Sequence, residues 1–165
     1  ALALLPFILI MLTSFVKIAV VLSLLRTALG TPQIPPTMVI TGLSLVLTMY
    51  IMSPVAMDIT RALGPDASFE SLRERAAQEG AGPLLEEAMS PLRAFLIKEA
   101  HPQERAVFFS MAQEMARPAD RGALEEDDLL VVMPAFVVSE LKEAFQIGFL
   151  LFVPFRPTIY HHRTT

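Results

Sequence analysis

Apolar residues in this chain are gathered into three long blocks instead of being spread at the spacing of a soluble helix or strand. The blocks are residues 1–25, 37–57 and 129–155. Each is long enough to cross a bilayer, for which about 20 apolar residues in a helix suffice. The first block contains a single charged residue, Lys17, and the second contains none. The pattern predicts an all-α integral membrane protein and not a soluble enzyme.

A short connector, residues 26–36, separates the first two blocks. Glycine suits the end of a helix, and proline cannot continue a regular one. Four connector residues therefore favour a turn: Gly30, Pro32, Pro35 and Pro36. Two apolar helices joined by a short turn form an antiparallel helical hairpin. Within the second helix, Pro54 is expected to kink or end the last turn.

The segment between the second and third blocks, residues 58–128, is acidic. It carries fifteen acidic and eight basic residues, a net charge of −7. Short amphipathic helices are predicted here. Ser68 can cap a helix that ends near Gly80, the pair Ser90–Pro91 is typical of a helix start, and Pro102 opens a further helix. Gly80 to Gly82 is interpreted as a linker.

The third block differs from the others because it carries Glu140, Lys142 and Glu143 near its middle. A charge at the centre of a lipid-facing helix costs roughly 2.5 to 3.5 kcal/mol. The block is therefore either one helix buried in an assembly or two shorter helices that meet near residues 139–143. Glu140 and Glu143, three residues apart, share one helix face, whereas Lys142 points elsewhere. The simplest arrangement places Lys17 against that acidic face, within the chain or across a subunit contact. Such charges either fix helix register or line a gate.

Charge patterning also predicts topology. The chain divides into four parts: an apolar hairpin (1–57), an acidic helical segment (58–128), a third apolar segment (129–155) and a tail (156–165). Arg26 lies in the connector, and Arg156 and Arg163 lie in the tail. Because basic residues near membrane spans stay in the cytoplasm, residues 58–128 are expected to be extracytoplasmic.

Residues that could carry catalysis or bind a cofactor are not grouped in this sequence. The chain has no cysteine, which excludes disulfides and thiolate chemistry. No phosphate-binding glycine loop, zinc motif or nucleophile motif is present. The three histidines, His101, His161 and His162, are interpreted as solvated. A net charge of −4 does not favour nucleic acid as a partner. We therefore expect no enzymatic activity, no cofactor and no metal.

Three long stretches carry a resemblance to a known family. They are LPFILIMLTSFVKIAVVLSLLRTALGTPQIPPTMVITGLSLVLTMYIMSPV from Leu5, SPLRAFLIKEAHPQERAVFF from Ser90, and LLVVMPAFVVSELKEAFQIGFLLFVPF from Leu129. In this order they resemble the inner-membrane export-gate subunit of bacterial flagellar and type III secretion systems. The SFVKI and HPQER stretches are more similar to the injection-apparatus branch of the family.

The resemblance implies a non-enzymatic subunit of the bacterial inner membrane. Several copies would assemble with two other small membrane subunits into a gate that unfolded substrate proteins cross. The resemblance also implies inter-helix or inter-subunit contacts at Lys17, Glu140 and Lys142. After Phe155 the family continues with a further apolar segment and a methionine-rich stretch, whereas this chain reads RPTIYHHRTT, which is expected to reflect a truncation or a changed reading frame. A small-solute transporter and a membrane-anchored interaction module are the alternative functions.

Overall fold

All regular structure in the described part of the chain is helical, as the sequence predicts. The computed structural model describes residues 5–30 and 34–153. The helices, in chain order, are α1 (Leu5–Met11), α2 (Phe15–Ala28), α3 (Thr37–Leu63), α4 (Phe69–Glu79), α5 (Ala81–Glu99), α6 (Pro102–Met115) and α7 (Leu129–Phe152), with a short 3₁₀ turn at Arg121–Ala123 before α7.

The first apolar block is two helices and not the single span expected for residues 1–25. The chain leaves the helix between Met11 and Phe15, where Thr13 Oγ1 donates a hydrogen bond of 2.7 Å to the Ile10 carbonyl. Serine and threonine hydroxyls compete in this way with the helical hydrogen-bond ladder. The break also turns Leu12 into the core, where it is almost fully buried. Burial of Leu12 thus accompanies the loss of a continuous helix.

The connector between α2 and α3 turns the chain. Gly30 has φ of +70°, a left-handed conformation that glycine adopts without steric cost. Pro36 is the N-cap of α3, and Arg26 Nη1 donates to the carbonyl of Pro35 at 3.4 Å. Pro32 lies outside the described residues. Helices α2 and α3 then pack against each other.

Helix α3 continues through Pro54 to Leu63, so the predicted helix end at Pro54 is wrong, and the alternative of a kink stays a prediction. A proline inside a helix removes the hydrogen bond to the carbonyl four residues earlier, here that of Tyr50. The Ser53 hydroxyl donates to this carbonyl at 2.8 Å and replaces the missing bond. Within the described ranges, α3 is the one helix long and apolar enough to cross a membrane.

Several helix boundaries in the acidic segment are where the sequence predicts them. Ser68 caps α4, its side chain accepting a hydrogen bond from the amide of Ser71 at 3.2 Å, and the helix ends before Gly80. Pro102 is the first residue of α6. Asp128 is the N-cap of α7.

The predicted helix start at Ser90–Pro91 is wrong, and the predicted linker at Gly80 to Gly82 is confined to Gly80, which separates α4 from α5. Helix α5 begins at Ala81 and runs through Pro91 to Glu99. Its buried face carries Leu84, Leu92 and Leu96, which follow one another at spacings of eight and four residues. Since one continuous helix buries all three leucines, packing outweighs the local signal of the proline.

Helix α7 is the central element of the fold, and it is one continuous helix through residues 139–143. It packs against α2, α5 and α6, while α3 packs on α2 and α5. The core consists of buried apolar residues from the α1–α2 break, α5 and α7: Leu12, Leu92, Leu96, Ala100, Val132, Ala135 and Phe136. The rings of Phe95 and Phe136 lie 5.6 Å apart, centre to centre, and inclined by 59°.

Gly148 is the point of closest approach between α7 and α2. A Cβ atom at this position would lie 3.0 Å from Leu24 Cβ and would clash with Leu24 Cδ1. Overpacking of this kind costs about 1 to 3 kcal/mol. We expect Gly148→Ala to lower the free energy of unfolding by this amount, as measured by thermal unfolding in detergent.

Gly42 in α3 provides the matched control for this prediction. A Cβ there meets nothing within 4 Å, and alanine is favoured over glycine in a helix by about 1 kcal/mol. Gly42→Ala should be neutral or stabilising. Equal effects of the two substitutions would show that α2 and α7 do not approach as closely as described.

Candidate functional site

A cluster of charged side chains lies where α2, α6 and α7 meet. Lys17 is in the first turn of α2, and Glu140 and Glu143 lie one turn apart on α7. Because α2 packs along α7, the lysine reaches both acids. The cluster is therefore assembled from residues more than one hundred positions apart in the sequence.

Lys17 is placed against the two acids of α7. Its Nζ lies 2.7 Å from Glu140 Oε1 and 2.7 Å from Glu143 Oε2. The side chain of Glu140 is 2% exposed, and neither of its oxygens has a hydrogen bond of acceptable geometry within the described residues. A buried carboxylate in this position depends on its ion pair, so Lys17 is the principal compensation for the charge of Glu140.

Lys142 points away from this pair, toward α6. Its Nζ donates to Glu104 Oε1 at 2.9 Å. This hydrogen bond lowers the pKa of Glu104 below its usual value, which keeps the carboxylate ionised. The contact therefore stabilises the fold at neutral pH. This contribution is lost as the pH falls and Glu104 takes up a proton.

His101 is a member of the cluster: its side chain, interpreted as solvated, is 36% exposed and also contacts charged groups of the protein. Its Nε2 lies 2.6 Å from Glu143 Oε1, and its Nδ1 lies 3.8 Å from Glu104 Oε2. Its backbone amide donates to the hydroxyl of Ser139 at 2.9 Å, and that hydroxyl donates to the Ala135 carbonyl at 2.8 Å. Helix α7 therefore contacts both the backbone amide and the imidazole ring of His101.

Sequence reasoning missed His101, Glu104 and Ser139 because their partners lie on other helices. One signal was available. His101 and Glu104 are three residues apart, a spacing that places two side chains on one helix face. His161 and His162 lie outside the described residues.

The chemistry of this cluster is that of ion pairing and proton binding. It holds no serine or threonine beside a histidine base, since Ser139 is engaged by backbone groups. Within residues 5–30 and 34–153, no three side chains of the His, Asp or Glu type are arranged to hold a metal ion. The arrangement joins three helices through charge.

Comparison with known proteins identifies the family. A model described as the FliP family matches residues 1–156.

The chain belongs to the FliP family.

Relatives of this FliP-family chain carry names from secretion and flagellar assembly. The hypersensitivity response secretion protein HrcR of Ralstonia nicotianae is 41% identical over 160 residues, covering 94% of this chain and 70% of the relative. The Yop proteins translocation protein R of Yersinia pestis is 42% identical over 154 residues, which cover 93% of this chain and 69% of the relative. The flagellar biosynthetic protein FliP of Pectobacterium carotovorum is 42% identical over 156 residues, which cover 94% of this chain and 56% of the relative.

These matches confirm the resemblance to the type III secretion and flagellar export family. The relatives are named for secretion, translocation and flagellar biosynthesis. Identities of 41% and 42% do not separate the secretion branch from the flagellar branch. The closer similarity to the injection-apparatus branch stays a prediction.

Proposed function

We propose that this chain is a non-enzymatic core subunit of a protein export gate through which unfolded proteins cross the bacterial inner membrane. The observation that carries the proposal is the FliP-family match over residues 1–156. The partners proposed are further copies of the chain, two other small membrane subunits and the exported proteins.

The surface of α3 supports a membrane location. Between Met38 and Ile51 most of its exposed positions are large and apolar, while its three buried positions are Ile40, Ser44 and Thr48. This distribution is the reverse of a soluble helix and typical of a helix that packs through small residues in lipid. The buried hydroxyls donate to carbonyls four residues earlier, at 2.8 Å for Ser44 and 2.6 Å for Thr48. No polar group on this buried face is thus left without a partner.

The second half of α7 supports assembly with other subunits. Phe145, Phe149 and Phe152 follow one another at helical spacing, and all three are exposed. They lie immediately beyond the charged cluster, on a helix whose first half is buried. Exposed apolar patches mark protein or membrane contacts. Because α7 carries Lys142 and Glu143 beside the stripe, and charges are costly in lipid, we propose that the stripe contacts another subunit.

Assembly can be tested by producing the chain together with the two other membrane subunits and measuring particle size after mild detergent extraction. We expect recovery in the membrane fraction and in a particle that contains several copies. Phe149→Glu should abolish the particle, because a buried unpaired carboxylate is costly in an interface.

Phe69→Glu is the matched control, since Phe69 is 82% exposed in α4 and lies outside the stripe. It should leave the particle intact. A monodisperse monomer that is soluble in plain buffer would contradict the proposed function.

We further propose a multi-pass topology in which residues 1–57 form a membrane hairpin and residues 58–128 are extracytoplasmic. The chain contains no cysteine, so single cysteines report on accessibility. In cells with a permeabilised outer membrane, an impermeant thiol reagent should label Gln78→Cys and leave Thr27→Cys unlabelled. Both positions are exposed. Labelling of both from the outside would rule out the topology.

A further inference from the structure

Helix α4 rests on α5 without contributing to the core of the fold. None of its eleven residues is buried, and Phe69 at its start is 82% exposed. Between α4 and α5 lies a groove of about 410 Å³. The groove is lined by apolar side chains of both helices, among them Leu72, Ala76, Leu84, Leu85 and Ala88. A helix with so few buried apolar contacts can separate from its neighbours at a lower free-energy cost than the core.

A glycine with positive φ stands at each end of this helix. Gly64, with φ of +94°, follows α3, and Gly80, with φ of +89°, is the single residue between α4 and α5. Glycine adopts positive and negative φ with similar ease, so the backbone can turn at these two points without steric cost. A Cβ atom at either position would meet no atom of the described residues within 4 Å, so the surroundings leave room for the turn.

The short turn before α4 is fastened to the helix. The hydroxyl of Ser71 donates to the carbonyl of Asp66, and the amide of Ser71 donates to Ser68 Oγ at 3.2 Å. These bonds join residues 66–68 to the first turn of α4, so the turn and the helix move together. The point at which the backbone can turn on this side is therefore Gly64.

The side chain of Arg75 connects α4 to both neighbouring helices. Its Nη1 donates at 3.0 Å to the carbonyl of Leu63, the last residue of α3, and its Nη2 donates at 3.0 Å to Glu87 Oε2 of α5. A carbonyl in the last turn of a helix has no partner within that helix, so it is free to accept from the guanidinium. Arg75 and Glu87 are both partly exposed, so water can replace these bonds when the helix moves.

We propose that α4 is a hinged cover that turns about Gly64 and Gly80, and that Arg75 is the latch that holds it closed over the groove. When the cover opens, the apolar residues of α5 that line the groove become exposed, while the core between α5 and α7 stays folded. The inference goes beyond the proposed export function and does not depend on it.

The test measures how often the groove opens. Because the chain contains no cysteine, Ala88→Cys places a single thiol at a half-buried position in the groove. A thiol that reacts in the open form is modified at a rate proportional to the open fraction. In the full chain in detergent, Arg75→Met should speed this modification by about 5- to 30-fold, the factor that corresponds to losing hydrogen bonds of ordinary strength.

Two controls separate opening of the cover from loss of the whole fold. Arg73→Met changes an exposed arginine of the same helix and should leave the rate at position 88 unchanged. Ala100→Cys places the thiol in the core at the other end of α5, where Ala100 is 4% exposed. This thiol should stay protected when Arg75→Met is added.

An unchanged rate at position 88 after Arg75→Met would overturn the proposal. So would equal increases at positions 88 and 100, because Arg75 would then stabilise the whole fold and not a cover. Should a cysteine variant fail to fold, hydrogen exchange of the chain without cysteine decides the question. Arg75→Met should speed the exchange of amides in α4 and leave those in α7 unchanged, whereas no change in α4, or the same change in both helices, would refute the cover.

Discussion

Replacing Lys17 by methionine is expected to destabilise the folded chain by about 3 to 5 kcal/mol. The substitution keeps the length of the side chain and removes the ammonium group that lies 2.7 Å from both Glu140 and Glu143. Glu143 keeps its contact with His101, but Glu140 is left buried without a counter-charge. The free energy of unfolding in detergent measures the effect.

Two further variants identify its cause. Lys98 is 80% exposed, and its Nζ lies 3.6 Å from Oε1 of the neighbouring Glu99. Because an exposed ion pair contributes little, Lys98→Met should change the free energy of unfolding by less than about 1 kcal/mol. Adding Glu140→Gln to Lys17→Met removes the orphaned charge and should recover most of the loss. Additive effects of the two substitutions would show that Lys17 and Glu140 do not interact.

Phe136→Ala is expected to cost about 3 to 5 kcal/mol, the usual range for deleting a buried aromatic ring. Phe136 is fully buried in α7, where it packs with Phe95 and the core residues around Leu12 and Leu96. This cluster joins the first apolar block, the acidic segment and the third apolar block. Loss of the ring should therefore weaken the whole fold and not one helix pair.

Phe145 on the same helix is the control, because its side chain is 58% exposed. Phe145→Ala should leave thermal unfolding of the isolated chain almost unchanged. If Phe136→Ala were equally mild, the core would not connect the three segments.

The helices that the sequence predicts best are those with local signals at their ends. Ser68 caps α4 through its side chain, and Pro102 begins α6. Each signal acts within one helical turn, so the sequence alone displays it. The shared face of Glu140 and Glu143 follows from helical periodicity in the same way.

Predictions were wrong where packing outweighs a local signal. Pro91 lies inside α5 because three leucines share its buried face. Pro54 is tolerated inside α3 for a local reason, since the hydroxyl of the neighbouring Ser53 donates to the Tyr50 carbonyl. His101 joins the charged cluster through residues 38 and 42 positions away. Contacts of this length are set by how helices pack, which no local pattern displays.

The proposed gate requires that exported proteins pass through a channel built from this subunit, which can be tested directly. A secreted protein fused to a domain that cannot unfold should stall in transit and leave an unfolded segment inside the gate. Photo-crosslinking residues placed one at a time at exposed positions throughout the described part of the chain then report which of them lie near the stalled protein. We expect a crosslink to the stalled protein from at least one position, and no crosslink when no substrate is stalled. Assembly of the subunit into the complex without a crosslink from any position would contradict the proposed gate.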